Sequence, residues 1–293
     1  MRTKAWRSVI VDASDRIHID NNRLAISREN EEEKYVPLNQ IREILITSNR
    51  GSISLPVLTA LSQQNTSVIF CNDKYSPVCE LCGYGDHFER AGRTLDQTCW
   101  TDRRKQAVWR QIVRQKIMQQ IELLRRLDIE VPETMYGYNR EVESGDATNR
   151  EAAAGKLYFD LLFGREFNRF SEDSMNAALN YGYTILRSEF DRAIVLHGYK
   201  TEIGIHHRSR QNPHNLSCDL MEPFRPFVDE IAYLNIGKRF DLEYRKQLIL
   251  LTGSLCLYAG TEMSIANAIE QYTLDVLYSM NVPRQGLKEV RFA

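Results

Sequence analysis

A chain of 293 residues, 43% hydrophobic and 26% charged, has room for one large domain or two ordinary ones, and its composition excludes the disordered and fibrous classes. A formal net charge of −1 gives no global signature of nucleic-acid binding, so any such surface must be a local patch. No apolar run approaches the roughly 20 residues that cross a bilayer, the N-terminus MRTKAWRSVIVD lacks the apolar core of a signal peptide, and six cysteines in this length do not make a disulfide framework, so the chain reads as cytoplasmic with free thiols.

The first eighty residues predict short strands at Ser8–Val11, Arg16–Ile19, Arg23–Ser27, Tyr35–Leu38 and Arg42–Thr47, separated by turn-formers such as Asp20-Asn21-Asn22 and by the acidic run Glu29 to Glu33. That spacing suits an antiparallel β domain. A short helix Leu55–Gln64 follows, with proline in its first turn, and then strands at Ser67–Phe70 and Val78–Leu81. The expected organisation is a β-rich, β-sandwich-like domain over 1–82, a glycine-containing connection over 83–100, and a mostly α-helical domain over 101–293, an α+β protein overall. Cys79-x-x-Cys82 with His87 and Cys99 has part of a zinc ligand set but no second close pair, and a strand position is the better account of Cys79.

From Asp102 to Leu127 the sequence predicts a helix with Val113, Ile117, Ile121 and Leu124 on one face. Residues 101–130 carry eight positive and four negative side chains, including Arg103, Arg110 and Arg114. A solvated amphipathic helix and a phosphate-binding face are both open readings. Trp6, Trp100 and Trp109 read as core or interface anchors. Residues Val131 to Ala147 read as a loop, followed by helices beginning at Asn149 and spanning Ser174–His197, Phe227–Asn235, Leu242–Leu257 and Ile265–Asn281. Thr148 and Glu151 have capping-box spacing, so Glu151 is either a helix-start device or a functional carboxylate.

The stretch GIHHRSRQNPHNLSCDLMEPFRPFVD, from Gly204 to Asp229, gathers His206, His207 and His214 with Arg208, Arg210 and Arg225 around Asp219 and Glu222. Imidazole and carboxylate are ligands of a divalent cation, hard oxygens suiting Mg²⁺ or Mn²⁺. Asp219 admits three readings: a group that orients a ligand, an alternate ligand, or a helix-start residue. His206 and His214 read as polar loop residues, and the arginines as phosphate contacts or structural ion pairs.

The motifs NREAAAGKLYFDLLFG, NAALNYGYTIL and GIHHRSRQNPHNLSCDLMEPFRP, in that order, resemble the CRISPR-associated endonuclease/integrase of the spacer-acquisition module, over the whole chain. The length and the DLMEPFRP form look most like the subgroup accompanying type II systems. The resemblance implies a divalent-metal site of Glu151, His207 and Glu222, where some relatives have aspartate at the last position. It implies insertion of prespacer DNA at a CRISPR repeat by 3′-hydroxyl transesterification. It also implies a homodimer built around the β domains, a small second subunit bridging two dimers in a heterohexamer-like complex, and for the type II-like subgroup the effector nuclease as a further candidate partner. A DNA-binding scaffold with a vestigial site, and a hydrolytic metallonuclease on branched or single-stranded DNA, are the competing readings. Joined products separate the integrase from both.

Overall fold

The computed structural model describes residues 7–11, 16–47, 50–64, 66–72, 77–81, 90–282 and 286–293. The chain divides into two compact units, Met1–Asp86 and His87–Ala293. Cys82, His87 and Trp6 lie outside the described residues, and so does the zinc reading that needed the first two.

The first unit contains β1 (Arg7–Val11), β2 (Arg16–Asp20), β3 (Arg23–Ser27), β4 (Lys34–Pro37), β5 (Ile41–Ile46), β6 (Ser52–Ile53), helix α1 (Leu55–Gln63), β7 (Ser67–Cys71) and β8 (Pro77–Leu81). They form two four-stranded sheets, β1-β5-β7-β8 and β4-β3-β2-β6. The β2–β3 hairpin turns at Asn21 and Asn22, both with positive φ (47° and 61°), as a two-residue turn between twisted strands requires. Ile17 and Leu24 of one sheet, Ile44 and Val68 of the other, and Val57 and Leu61 of α1 share one core. The expectation of an antiparallel domain is corrected here, because β1, β5 and β7 pair in parallel. Parallel neighbours need a crossover connection, and α1 supplies it between β5 and β7.

The second unit contains α2 (Arg90–Thr98), α3 (Asp102–Arg126), α4 (Glu133–Arg140), α5 (Arg150–Phe163), α6 (Ser174–Leu196), α7 (Asn215–Leu220), α8 (Arg225–Leu234), α9 (Leu242–Leu250), β9 (Leu255–Tyr258), β10 (Thr261–Ser264), α10 (Ile265–Asn281) and β11 (Val290–Phe292). Helix α3 is its axis and packs against α4, α5, α8, α10 and β11. Thr101 caps it by accepting from the Arg104 amide at 3.3 Å, and Arg125 and Arg126 face the negative end of its dipole. Trp109, Ile112, Val113, Ile117 and Leu124 fill the buried side.

Three expectations are corrected in this unit. Residues 90–98, placed in a connection, form α2, which is tied down by buried Gln97 donating to the Lys200 and Ile203 carbonyls at 2.8 Å each. Residues 133–140, read as loop, form α4. The helix expected over Leu242–Leu257 stops at Leu250, and Leu255–Tyr258 becomes the centre of a three-stranded sheet, β10-β9-β11.

Gly182 lies inside the continuous helix α6. A Cβ there would come within 2.5 Å of Val228 Cγ1, so glycine allows α6 and α8 to approach closely. That approach brings the Tyr183 hydroxyl to Asp229 Oδ1 at 2.5 Å, and Tyr158 of α5 donates to Asp229 Oδ2 at 2.8 Å. Burial pushes the Asp229 carboxyl up to about 6 despite these two donors. A raised folded-state value contributes stability that is complete below the unfolded value, about 3.9, and is lost as pH rises through about 6. Relative to the unaltered chain, Asp229→Asn should therefore gain stability to denaturant as pH rises from about 4 to 6, having lost this one downward contribution; a difference constant across that window would assign the titration to other groups.

Candidate metal centre

Glu151 sits in the first turn of α5, but the expected capping box with Thr148 does not form. The buried Asp146 carboxylate instead accepts from the Arg150 amide at 2.9 Å and the Glu151 amide at 3.0 Å. Asn149, at the helix boundary with φ 53°, turns the chain into the helix without a side-chain cap. The Glu151 carboxylate is thereby free of capping and points to α3, where Lys116 Nζ lies 2.6 Å from its Oε1.

Glu222 opens a 3-10 turn, Glu222–Phe224, between α7 and α8. Its side chain is buried, with Oε1 2.9 Å from Arg225 Nε and Oε2 2.5 Å from the same Lys116 Nζ. Burial opposes charge on Glu222, and the Arg225 guanidinium and Lys116 ammonium overcome it, holding the carboxyl below its ordinary value. The same carboxylates keep buried Lys116 protonated against the cost of desolvation, its pKa raised. Two acidic side chains from separate helices thus converge on one cationic atom.

His207 reaches this pair through a loop organised by Asp219. The fully buried Asp219 accepts from the backbone amides of Ile205 (2.6 Å), His206 (2.9 Å) and His207 (3.1 Å), and its Oδ1 lies 2.6 Å from His207 Nδ1. An ionised carboxylate only accepts, so Nδ1 carries the proton and Nε2 holds the free lone pair. The Asp219 hydrogen bond raises the His207 pKa against burial, and the charges of Glu222 and Glu151 raise it further. A Cβ on Gly204 would collide with the His207 carbonyl oxygen and with Asp219, which accounts for glycine at the head of the motif. Asn215 closes the other side of the loop, donating to the Glu202 and Ser209 carbonyls at 3.0 and 2.8 Å. Of the three readings of Asp219, the orienting one matches; it is not a helix-start residue, lying near the end of α7.

The two adjacent histidines, ring centroids 5.8 Å apart, meet Trp109 of α3 in different ways. His206 lies flat on the indole, ring centroids 4.3 Å and planes 3° apart, and is exposed; His207 meets the indole edge-on. His214 pairs elsewhere, its Nδ1 2.9 Å from buried Asp191, to which Ser217 also donates.

Among the described residues no trio of histidine, cysteine, aspartate or glutamate already stands at metal-ligand spacing. The donor set nevertheless fits a hard divalent ion. Glu222 Oε2 is buried and accepts no directed hydrogen bond, its partner Lys116 being an undirected ion pair, and Glu151 and Glu222 already share one positive charge. Lys116 is the residue that sequence reasoning missed, because it falls among the eight cations of residues 101–130.

The predicted DNA-contacting arginines fall in different settings. Arg103, Arg110 and Arg114 are exposed and lie within about 40° of one another around the α3 axis, although Arg110 also donates to the Val142 carbonyl at 2.8 Å. Arg208 pairs with Asp102 at 2.8 Å on the surface, and Arg210 is exposed. Arg225 is held on Glu222, over the Tyr183 ring.

The family model for CRISPR associated protein Cas1 matches residues 9–241. A CRISPR-associated endonuclease Cas1 from Neisseria meningitidis serogroup C is 33% identical over 225 residues, covering 76% of this chain and 74% of that protein. A second, from Pyrobaculum aerophilum, is 31% identical over 215 residues, covering 66% and 70%. The fold is shared with a casposase bound to integration product (TM-score 0.77, 17% identity, 96% of this chain and 92% of that one) and with a CAS1 protein from Thermotoga maritima (TM-score 0.74, 16% identity, 96% and 99%). The extent of these matches, across both units, places the chain in the Cas1 family of CRISPR-associated endonucleases.

Proposed function

We propose that Glu151, His207 and Glu222 hold a divalent cation, Mg²⁺ or Mn²⁺, with which this CRISPR-associated endonuclease and integrase joins prespacer 3′-hydroxyls to the phosphodiester backbone of a CRISPR array. The observation that supports it best is the convergence of two helix-borne carboxylates on one cationic atom beside an imidazole fixed by Asp219. Bound there, the ion supplies a lowered hydroxyl pKa and charge neutralisation at the phosphate. The protein's part is orientation. Asp219 fixes the His207 tautomer and aims Nε2, Arg225 fixes Glu222, and Asp146 fixes the helix start that carries Glu151.

The exposed arginine stripe of α3, with Arg208, Arg210 and Arg225 nearer the site, binds DNA backbone. The β unit, Met1–Asp86, serves dimerisation, the unit that follows, His87–Ala293, is catalytic, and a small second subunit bridges dimers. Solved relatives described as a Cas1–DNA complex and a Cas6-RT-Cas1–Cas2 complex support partners of these kinds. Among the described residues no helix is long and apolar enough to cross a membrane.

The test uses a supercoiled plasmid carrying a repeat, a labelled prespacer with 3′-hydroxyl ends, the chain and its small partner subunit, with Mn²⁺ or Mg²⁺. Label joined to plasmid, abolished by 3′-dideoxy ends, is the expected result. Shortened fragments without joining would favour the hydrolytic nuclease, and bound but unreacted DNA the scaffold. A second measurement addresses the stripe. Arg103→Ala with Arg114→Ala should reduce the salt slope of DNA binding by about 1 to 2, near 0.9 per lost duplex phosphate contact; an unchanged slope returns α3 to a solvated face.

A further inference from the structure

Lys116 lies thirteen residues after Arg103, which places it about 220° around α3 from the arginine stripe. Its side chain is only 14% exposed, and its ammonium touches Glu151 and Glu222 at 2.6 and 2.5 Å. A surface lysine does not take up such a position, since burying an ammonium is costly without paired charge. Here the pairing is reciprocal: two carboxylates from α5 and the turn before α8 repel each other, and one positive charge between them leaves the trio at −1. Any divalent ion held by both glutamates must claim the space in which the ammonium sits.

Two cations flank Glu222, and they differ in freedom. Arg225 is fixed, its Nε on Glu222 Oε1 and its guanidinium 4.7 Å from the Tyr183 ring centroid. Lys116 contacts both glutamates through a single atom on a flexible four-carbon stem. We infer that Lys116 is the resident counter-cation of the Glu151–Glu222 pair, and that a divalent ion enters by exchange, the ammonium swinging out as the ion takes both carboxylates. This rests on the reading of those glutamates as ligands. Lys116 is then a positioning residue. It holds the carboxylates together before the ion arrives, and it weakens apparent metal affinity by the fraction of time it occupies their shared space. After exchange, ion and carboxylates sum to zero, and the freed ammonium is a positive charge beside a site that receives phosphate.

The experiment is a calorimetric Mn²⁺ titration of the full chain, of Lys116→Gln, of Lys116→Met and of Glu151→Gln. Removing a competitor that occupies the site about nine-tenths of the time should tighten Mn²⁺ binding about tenfold in both Lys116 variants, whereas Glu151→Gln should weaken it. The unaltered chain provides a reading that no folding defect can obscure. Acylation of Lys116 by an amine-reactive ester, followed by mass spectrometry, should rise on Mn²⁺ saturation, with that of exposed Lys156 unchanged. Unchanged or weaker Mn²⁺ affinity in the Lys116 variants, or unchanged acylation, overturns the exchange. Wild-type Mn²⁺ binding by Glu151→Gln overturns the ligand reading itself, a distinguishable outcome.

Discussion

Glu151→Gln should abolish strand transfer, by about a thousandfold or more, while leaving the fold intact. A thousandfold corresponds to about 4 kcal/mol of transition-state stabilisation, within what a catalytic ion supplies. A competing role for this carboxylate, closing a capping box at the start of α5, is removed by the geometry, since Asp146 takes the Arg150 and Glu151 amides. Glutamine keeps the length and one acceptor for Lys116, and the ammonium keeps its contact with Glu222. The thermal midpoint should therefore move little, whereas Asp146→Ala, which removes the cap itself, should cost about 0.5–2 kcal/mol. The plasmid assay paired with thermal melts of both variants gives the answer. Strand transfer retained by Glu151→Gln would remove the residue from the ligand set.

The sequence carried local structure well wherever one periodicity ruled a segment. Arg23–Ser27 and Ile265–Asn281 are found where alternation and helical spacing put them. Pairing direction was not legible, because a strand's own residues do not name its neighbour; β1, β5 and β7 could be recognised as strands but not as parallel ones. Leu242–Leu257 misled because its apolar residues look like one helical face, yet Leu250 and Leu255 are both exposed. Gly253 and the Ala259-Gly260 turn, both residues at positive φ, mark the break and the hairpin that follow.

At the site, Glu151, His207 and Glu222 were nominated by their motifs, Asp219 and Arg225 stood open between several readings, and Lys116 had none. Lys116 occupies the buried register of α3 with Trp109, Ile112, Val113, Gln120 and Leu123, spaced at three and four residues. A cation in an apolar register announces a buried partner, and that signal was present but averaged into the helix's net charge. Asp219 gave no comparable sign, because four hydrogen bonds onto one carboxylate depend on how the 204–207 loop folds back over α7.

His207→Ala should lose Mn²⁺ binding and strand transfer together, whereas His206→Ala should keep Mn²⁺ binding and lose only what the exposed ring on Trp109 contributes to DNA contact. The two neighbours differ in what their Nδ1 atoms meet: His207 Nδ1 donates to Asp219 and so offers Nε2, and His206 is stacked flat on the indole. A ligating imidazole must be unprotonated at that nitrogen, so protons compete with the ion. Because the Asp219 hydrogen bond raises the His207 pKa, Mn²⁺ affinity should begin to fall at a pH above about 6.5, the ordinary histidine value. The same shift makes His207 a contributor to stability that is complete below about 6.5 and lost as pH rises through the raised value. Asp219→Asn removes the negative charge and leaves only one acceptor oxygen for the three loop amides. Its Mn²⁺ affinity at neutral pH should drop about 10- to 100-fold, as for lost partners of other metal-binding histidines, and the pH midpoint should move down. Calorimetric titrations from pH 5.5 to 8 on the three variants decide it. An inactive His206→Ala beside an active His207→Ala would mean the motif is one residue out of register, and an unmoved midpoint in Asp219→Asn would mean that its carboxylate anchors the loop without setting the charge of the ring.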